Sequence, residues 1–288
     1  MNELPGRVLN GRYRIERQLG AGAAGVVWLV RDTRLRGQVW ALKELDFDAV
    51  ASASERSELV ALFEREASTL MALHHPALPR VVDRFWEGGH GFLVMERVDG
   101  PTLAAVLQGR KIPFEPSEAL SWMRALCDIL VWLHARVPPM LYRDVKPANI
   151  MLGVDGQLRL IDFGIARPCN PSRPGDTFAY GTPGYAPPEQ YAGHAVPTSD
   201  VYALAITLYQ MLTLRDPTVD WPGGYMLRPA SYYNPAVPSD LDHLLTSCTA
   251  LDPLLRPSSE QLSRMMVGMK TEGRRDSWNE WFRRLLGR

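Results

Sequence analysis

The chain contains 288 residues, and its 32 basic and 32 acidic side chains give a formal net charge of zero. The hydrophobic content of 46% and the charged content of 22% are those of an ordinary globular protein with a sizeable core. Because the charges balance, no global field favours nucleic acid or anionic membranes, and we expect no nucleic-acid partner.

Two features indicate the cellular setting. The three cysteines lie far apart and form no CxxC pair, which argues against a disulfide framework or a zinc site and fits a reducing compartment. The N-terminus lacks the apolar stretch of a signal peptide, and the longest apolar run, residues 201–214, is too short to span a bilayer. We expect a cytoplasmic protein, with peripheral membrane association or a longer membrane-anchored chain as alternatives.

The first hundred residues predict a small sheet with one helix. Residues 13–19 and 26–32 have the composition of strands that flank a glycine-rich turn, and residues 38–45 predict a third strand. Two more apolar runs, VVDRFWE and FLVMERV, flank GGHG at residues 88–91 and predict a hairpin. The helix falls between the third and fourth strands, where Ser52 and Glu55 form a capping box before an apolar stripe of Leu59, Phe63, Ala67 and Leu70.

After about residue 100 the pattern becomes helical. Apolar periodicity predicts helices at residues 117–135, 200–214, 239–250 and 258–269, separated by proline-rich loops. The chain is therefore predicted to be α+β, with a small antiparallel-sheet lobe before a larger helical lobe.

The segment GAGAAGVV, residues 20–27, matches the pattern G-x-G-x-x-G-x-V between two strands. Glycines allow the backbone to approach phosphate oxygens and to present N–H groups to them. The segment also fits a plain glycine-rich hairpin. The strand that follows it argues against a dinucleotide-binding strand, turn and helix.

Two opposite charges are predicted to face the interior of the sheet lobe. Lys43 lies on the largely apolar third strand, and Glu66 lies beside the apolar stripe of the helix. This arrangement favours an ion pair in which Lys43 holds phosphate groups. The alternative is a lysine that extends to solvent at a sheet edge. Glu64 is predicted to be solvated.

A second charged group is framed by apolar neighbours. LYRDVKPANIML, residues 141–152, contains Asp144, Lys146 and Asn149, and RLIDFGIA contains Asp162. Because buried charges are costly without partners, these side chains are expected to share a compensating ligand.

The ordered motifs together resemble those of the protein kinase family. They are G-x-G-x-x-G-x-V, A-L-K, a glutamate within the helix, R-D-x-K-P-x-x-N, D-F-G and G-T-P-x-Y-x-x-P-E. DVKPAN resembles the Ser/Thr-specific branch, and GTPGYAPPEQY is similar to the bacterial eukaryotic-like members. The resemblance implies a bilobal kinase domain at about residues 10–268, with lobes at 10–97 and 99–268, before a basic tail at 269–288.

The resemblance implies ATP- and Mg²⁺-dependent transfer of the γ-phosphate to Ser/Thr hydroxyls of protein substrates in signalling, with Mn²⁺ as an alternative metal. Asp144 would accept the proton of the substrate hydroxyl, and Lys146 would steady the transferring phosphate. Lys43, held by Glu66, would contact the α- and β-phosphates. Asn149 and Asp162 would coordinate the metal. A pseudokinase scaffold and a small-molecule kinase are the alternatives.

The resemblance also implies contacts to the nucleotide. Met95 matches the gatekeeper, and the Glu96 carbonyl and the Val98 backbone would pair with the adenine edge. The other implied ATP-binding residues are Leu19, Gly20, Ala21, Gly22, Ala23, Ala24, Gly25, Val27, Ala41 and Met151.

Further residues receive structural or regulatory roles from the resemblance. Thr182 would bridge Asp144 and Lys146, Glu189 would pair with Arg256, and Asp200 would brace the catalytic-loop backbone. The respective alternatives are a turn residue, a solvated arginine and a helix cap. The residues that match the family's stacked apolar column are Leu70, Val81, Tyr142 and Phe163.

The resemblance also implies autophosphorylation at Thr177, where Arg143 and Arg167 would offer charge-assisted hydrogen bonds to the phosphate. The alternative is a merely solvated threonine. In the tail, Trp278, Trp281, Phe282, Leu285 and Leu286 form one apolar helical face among arginines. This face is expected to pack on the large lobe, or else to bind a membrane or a partner helix.

Overall fold

The computed structural model describes residues 5–22, 25–46, 53–162, 167–168, 181–220 and 228–269. Several features predicted from the sequence therefore lie outside the described residues: Ala23, Ala24, Ser52, Phe163, Thr177 and the apolar face of the tail. The side chains of Glu55, Leu59, Glu66 and Arg167 also lie outside the description.

The chain divides into two compact units, Met1–Asp99 and Gly100–Arg288. The first unit contains a six-stranded sheet in the order β1-β2-β3-β4-β6-β5, in which every neighbouring pair is antiparallel. The strands are β1 (Val8–Leu9), β2 (Tyr13–Gly22), β3 (Gly25–Asp32), β4 (Val39–Asp46), β5 (Val81–Glu87) and β6 (His90–Met95). Helix α1 (Ala53–Ala72) packs against β5 and β6.

The register of the sheet separates two faces. Trp28 pairs with Leu42, which pairs with Val94, and these side chains belong to a buried core with Leu9, Tyr13, Ile15, Val30 and Phe92. Because side chains alternate along a strand, their neighbours point to the opposite face. That face carries Val27, Leu29, Ala41, Lys43, Leu93 and Met95.

Three glycines shape this sheet at the ends of its strands. Gly88 and Gly89 both have positive φ, 61° and 88°, which suits the tight β5–β6 hairpin. Gly25 has φ 113°, and an added Cβ would lie 2.0 Å from the Glu44 carbonyl oxygen. Only glycine therefore fits where β3 begins against β4.

The second unit is mainly helical. Its described helices are α2 (Leu103–Gln108), α3 (Pro116–His134), α4 (Pro188–Tyr191), α5 (Pro197–Thr213), α6 (Pro217–Asp220), α7 (Ala230–Tyr233), α8 (Ser239–Cys248) and α9 (Ser259–Gly268). Two small antiparallel pairs join β7 (Met140–Leu141) to β10 (Arg167–Pro168) and β8 (Ile150–Leu152) to β9 (Leu158–Leu160). Short 3-10 helices occupy Pro147–Asn149 and Pro253–Leu255.

Helix α5 is the centre of this unit. Its residues are nearly all buried, and it packs against α3, α8 and α9. Pro197 occupies its first turn, where a missing N–H costs nothing, and Leu214 ends it in the left-handed conformation with φ 56°. A helix that is apolar on every side is expected to be central, as the 201–214 run indicated.

The α+β class and the sheet-then-helix order are confirmed, and the four predicted helices agree with α3, α5, α8 and α9 to within three residues. Three details differ. Strand β2 continues through Gly22, so the first glycines are extended strand. Strand β6 ends at Met95, short of the predicted run to Val98. Glu64 is not merely solvated, because it accepts from Arg84 Nε at 2.6 Å with its side chain 44% exposed.

Candidate active site

The segment between β7 and β8 carries the charged group that the sequence singled out. Its apolar residues are fully buried: Leu141, Tyr142, Val145, Ile150 and Leu152. Asp144 and Asn149 are also buried, with 9% and 6% of their surface exposed. The apolar side chains anchor the loop and thereby fix the polar ones between them.

Asp144 has a dense set of hydrogen-bond partners. Its Oδ2 accepts from Asn149 Nδ2 at 2.7 Å and lies 2.8 Å from Lys146 Nζ. Its Oδ1 accepts from Thr182 Oγ1 at 2.8 Å, and Lys146 Nζ in turn donates to Thr182 Oγ1 at 2.5 Å. Because both carboxylate oxygens are bonded, the side chain is held in one orientation, and the ammonium compensates its charge.

The backbone before Asp144 is held by a second buried carboxylate. Asp200, which is 1% exposed on α5, accepts from the backbone N–H groups of Tyr142 at 2.8 Å and Arg143 at 2.6 Å. His134 Nε2 lies 3.0 Å from the same carboxylate. Arg143 has φ 68°, a left-handed conformation that a non-glycine residue keeps only when its surroundings impose it.

Tyr142 joins this loop to the segment that ends at Asp162. Its hydroxyl donates to the Ile161 carbonyl, and the Ile161 N–H donates to the Asn149 carbonyl at 2.8 Å. Burial, and then the nearby carboxylates of Asp162, Asp144 and Asp200, raise the pKa of Tyr142 well above its usual value. The hydroxyl therefore stays protonated and remains a donor at physiological pH.

Asn149 and Asp162 offer the oxygen ligands that Mg²⁺ prefers. Asn149 Nδ2 donates to the carbonyl and the carboxylate of Asp144, which leaves the amide oxygen as an acceptor. The Ile161 N–H donates to the Asn149 carbonyl, and Asp162 is the next residue in the chain. This backbone hydrogen bond therefore brings Asp162 close to Asn149. Among the described residues no group of three or more His, Cys, Asp or Glu could hold a metal. Mg²⁺ at this pair would take its further ligands from substrate phosphates and water, as such sites do.

The segment after residue 181 packs back onto the loop. Glu189 forms a bidentate ion pair with Arg256, with Oε1–Nη1 at 2.5 Å and Oε2–Nη2 at 3.1 Å. Gln190 Nε2 donates to the Arg143 carbonyl at 2.7 Å. Sequence reasoning missed both Gln190 and His134. No local pattern marks either contact, because each joins segments far apart in the chain.

In the first unit, four of the residues expected to meet a nucleotide lie on one sheet face: Val27, Ala41, Lys43 and Met95. Lys43 is 2% exposed, and its Cα pairs with those of Val27 and Leu93. Ala41 and Met95, which are directly paired, continue the same face. Leu19, Gly20 and Ala21 are exposed on β2. The Glu96 carboxylate accepts a hydrogen bond from the Arg80 backbone N–H at 3.1 Å. In the second unit, Met151 is half-buried on β8, and Val145 is buried in the loop before this strand.

The sheet of the first unit, the helices of the second and the charged loop are those of a protein kinase domain. The sequence pattern of the family described as "Protein kinase domain" matches residues 13–266, and the chain belongs to this family. It is 32% identical to the serine/threonine-protein kinase PrkC of Bacillus subtilis over 96% of this chain and 43% of that protein. It is 35% identical to the serine/threonine-protein kinase PknA of Mycobacterium tuberculosis over 75% of this chain and 50% of that protein.

A solved structure supports the same assignment. The kinase domain of Mycobacterium tuberculosis PknI, crystallised as a single mutant, matches with a TM-score of 0.72 and 29% identity, covering 93% of this chain and 98% of that one. These similarities confirm the predicted resemblance to the bacterial, eukaryotic-like Ser/Thr kinases. The chain spans no more than half the length of the two curated relatives. Within the described part of the chain, no helix combines the length and apolar character needed to cross a membrane.

Proposed function

We propose that the protein transfers the γ-phosphate of ATP to Ser or Thr hydroxyls of protein substrates, with a kinase domain at about residues 10–268. The observation that carries this proposal is the arrangement of Asp144, Lys146 and Thr182, in which an oriented carboxylate contacts an ammonium that retains donor capacity. Phosphoryl transfer depends on positioning and charge neutralisation, and such an arrangement supplies both.

Asp144 would act as the base that accepts the proton of the substrate hydroxyl and aligns its oxygen. Asn149 and Thr182 hold the two carboxylate oxygens, so no reorganisation is needed when the hydroxyl arrives. Lys146 uses two of its three donors on Asp144 and Thr182. Its third N–H would steady the transferring phosphate.

Asn149 and Asp162 would hold Mg²⁺, or Mn²⁺ as the alternative, and the metal would supply positive charge against the phosphate oxygens. Lys43, paired with Glu66, would hold the α- and β-phosphates beneath the glycine segment Gly20–Gly25. Val27, Ala41 and Met151 would cover the faces of adenine, with Met95 as gatekeeper. The burial of Lys43 between its strand neighbours Val27 and Leu93 supports this part of the proposal.

Asp200, Glu189 and Arg256 would keep the loop and its supporting segment in place without touching substrate.

The experiment that tests the whole proposal is transfer of radiolabelled phosphate from Mg-ATP to a generic protein substrate. Asp144→Asn and Lys43→Met should each reduce transfer at least a thousandfold, about 4 kcal/mol of barrier at 1.4 kcal/mol per tenfold, while circular dichroism stays unchanged. Near-normal turnover by Asp144→Asn would refute the kinase assignment. A wild-type protein that binds ATP but transfers nothing would indicate a pseudokinase.

Two regulatory elements belong to the same proposal. Phosphate on Thr177 would bind Arg143 and Arg167 and raise activity, so mass spectrometry should find it in the wild-type protein and not in Asp144→Asn. Full-rate transfer by Thr177→Ala would exclude this control. The arginine-rich tail would contact the large lobe, a membrane or a partner. Sedimentation with anionic vesicles, comparing the full chain with residues 1–270, separates the membrane case from the others.

A further inference from the structure

Gln190 is a buried side chain to which the motifs and the proposed chemistry assign no role. It lies on α4, is 4% exposed, and donates from Nε2 to the Arg143 carbonyl at 2.7 Å. The bond joins two residues that are 47 positions apart in the sequence. Its acceptor, Arg143, immediately precedes the proposed base Asp144. Buried amides need partners, so a hydrogen bond alone would be ordinary. This hydrogen bond differs from an ordinary one because its acceptor, the Arg143 carbonyl, adjoins the proposed base.

The Arg143 carbonyl belongs to the same planar peptide group as the N–H of Asp144. Arg143 itself is left-handed, with φ 68°, and its N–H is taken by Asp200 Oδ1 at 2.6 Å. Asp200 therefore fixes the peptide before Arg143, and Gln190 fixes the peptide after it. The second peptide is the one from which Asp144 projects, so its orientation sets the direction of the carboxylate.

The position of Gln190 is itself fixed. Its neighbour Glu189 is bound by Arg256 through two hydrogen bonds, which anchor α4. Gly181 leaves room for the amide, because an added Cβ would lie 3.1 Å from Gln190 Nε2 and 2.4 Å from Ala186 Cβ. The amide thus meets the loop from a fixed position.

We infer that Gln190 is a positioning residue, which orients Asp144 towards the acceptor hydroxyl by holding the Arg143 carbonyl. The inference rests on the proposed kinase function and adds a residue to it. Because Gln190 acts on the base and not on the nucleotide, its loss lowers kcat for peptide phosphorylation and leaves nucleotide affinity unchanged.

Two substitutions test this role. Gln190→Met keeps the length of the side chain and removes the donor, and it should lower kcat at least tenfold with Kd for a fluorescent ATP analogue within twofold of the wild type. Gln190→Glu replaces the amide by a carboxyl group. When ionised, that group repels the carbonyl; when protonated, its O–H donates to it. The ratio of its kcat to the wild-type kcat should therefore rise as pH falls.

Asn234 provides the matched control. Its Nδ2 donates to the Leu212 carbonyl at 2.9 Å, an amide-to-backbone bond of the same kind away from the loop. Asn234→Asp should lose stability but keep kcat within twofold, with a kcat ratio that does not change with pH. A purely structural Gln190 would behave in the same way.

The outcomes separate the inference from the function on which it rests. If both Gln190 variants keep kcat within twofold while Asp144→Asn is inactive, the inference is wrong and the kinase function stands. If the wild-type protein transfers no phosphate, both fail. Should Gln190→Met not fold, the pH dependence of the Gln190→Glu kcat ratio decides: a rise towards low pH supports the role, and a flat ratio overturns it.

Discussion

The ion pair between Arg256 and Glu189 makes a quantitative prediction about stability. The Arg256 side chain is 0% exposed, and the Glu189 side chain 12%. Besides Glu189, Arg256 donates to the Ala250 carbonyl at 2.7 Å and the Leu251 carbonyl at 3.2 Å. Arg256→Met would leave the Glu189 carboxylate without its counter-ion, with the hydrogen bond from Ser199 Oγ at 2.7 Å still in place, and would leave these carbonyls without a donor. Removing one partner of a buried pair costs about 3–5 kcal/mol, so we expect Arg256→Met to lose that much free energy of unfolding.

The assay is equilibrium unfolding in urea, with Tm as a second readout that should fall by about 6–20 °C for a unit of this size. The control is Arg159→Met, which breaks the Arg159–Asp155 pair; that pair is 2.5 Å long but its carboxylate is 48% exposed. A half-exposed pair contributes only about 0.2–1 kcal/mol, so the control should change stability far less than Arg256→Met. The double variant Arg256→Met/Glu189→Leu should recover part of the loss, because no unpaired charge remains. If Arg256→Met and Arg159→Met lose equal stability, burial does not determine the contribution of the pair.

Three further predictions concern other parts of the fold. Burial raises the pKa of Asp32, but hydrogen bonds from Arg12 and from backbone N–H groups outweigh it and lower the pKa to about 2. Its stabilisation should be complete above the unfolded pKa of about 4 and vanish as pH falls through about 2, so the gap in unfolding free energy between wild type and Asp32→Asn should close over that range. Burial raises the pKa of Cys127 and of Cys248 to about 12, so in a Cys169→Ser protein neither thiol should react with a disulfide reagent at pH 8 until denaturant is added. Gly184→Ala should destabilise far more than Gly156→Ala: both have positive φ, but an added Cβ at Gly184 lies 2.4 Å from the Pro217 carbonyl oxygen and at Gly156 meets nothing within 4 Å. Equal losses in unfolding free energy would show that backbone strain alone governs both sites.

The sequence predicted the parts of the fold that are encoded locally. Helices α3, α5, α8 and α9 follow from apolar periodicity and their flanking prolines, and the β5–β6 hairpin follows from its glycine pair. Strand β1 and helix α2 were missed, because they have only two and six residues and carry too little periodicity. The extension of β2 through Gly22 could not be predicted either, because its pairing with β3 overrides the flexibility of glycine.

In the site, the motif order predicted which residues matter, and the long-range contacts required the structure. Asp200 could have been a helix cap from its sequence position alone, yet it binds backbone N–H groups 57 and 58 residues away. Arg256 and Glu189 are 67 residues apart. Gln190 lies within GTPGYAPPEQY, but the resemblance gave it no role, and no periodicity or spacing connects it with Arg143. Tertiary packing alone brings such pairs together.

The three aspartates of the loop region show how partners separate chemical roles. Asp200 is bound by two backbone N–H groups and by His134, and a carboxylate so fully used can only support its neighbours. Asp144 is bound by side chains, and among the described residues its Oδ1 accepts from Thr182 only, so an acceptor position remains for a substrate hydroxyl. Asp162 follows Ile161, whose backbone is hydrogen-bonded to Tyr142 and to Asn149. These bonds impose the left-handed φ of 71° at Asp162. The same side-chain type thus supports the backbone, acts as the base and binds the metal in the proposed mechanism. For Asp200 and Asp144, the hydrogen-bond donors around the carboxylate determine which role it can perform.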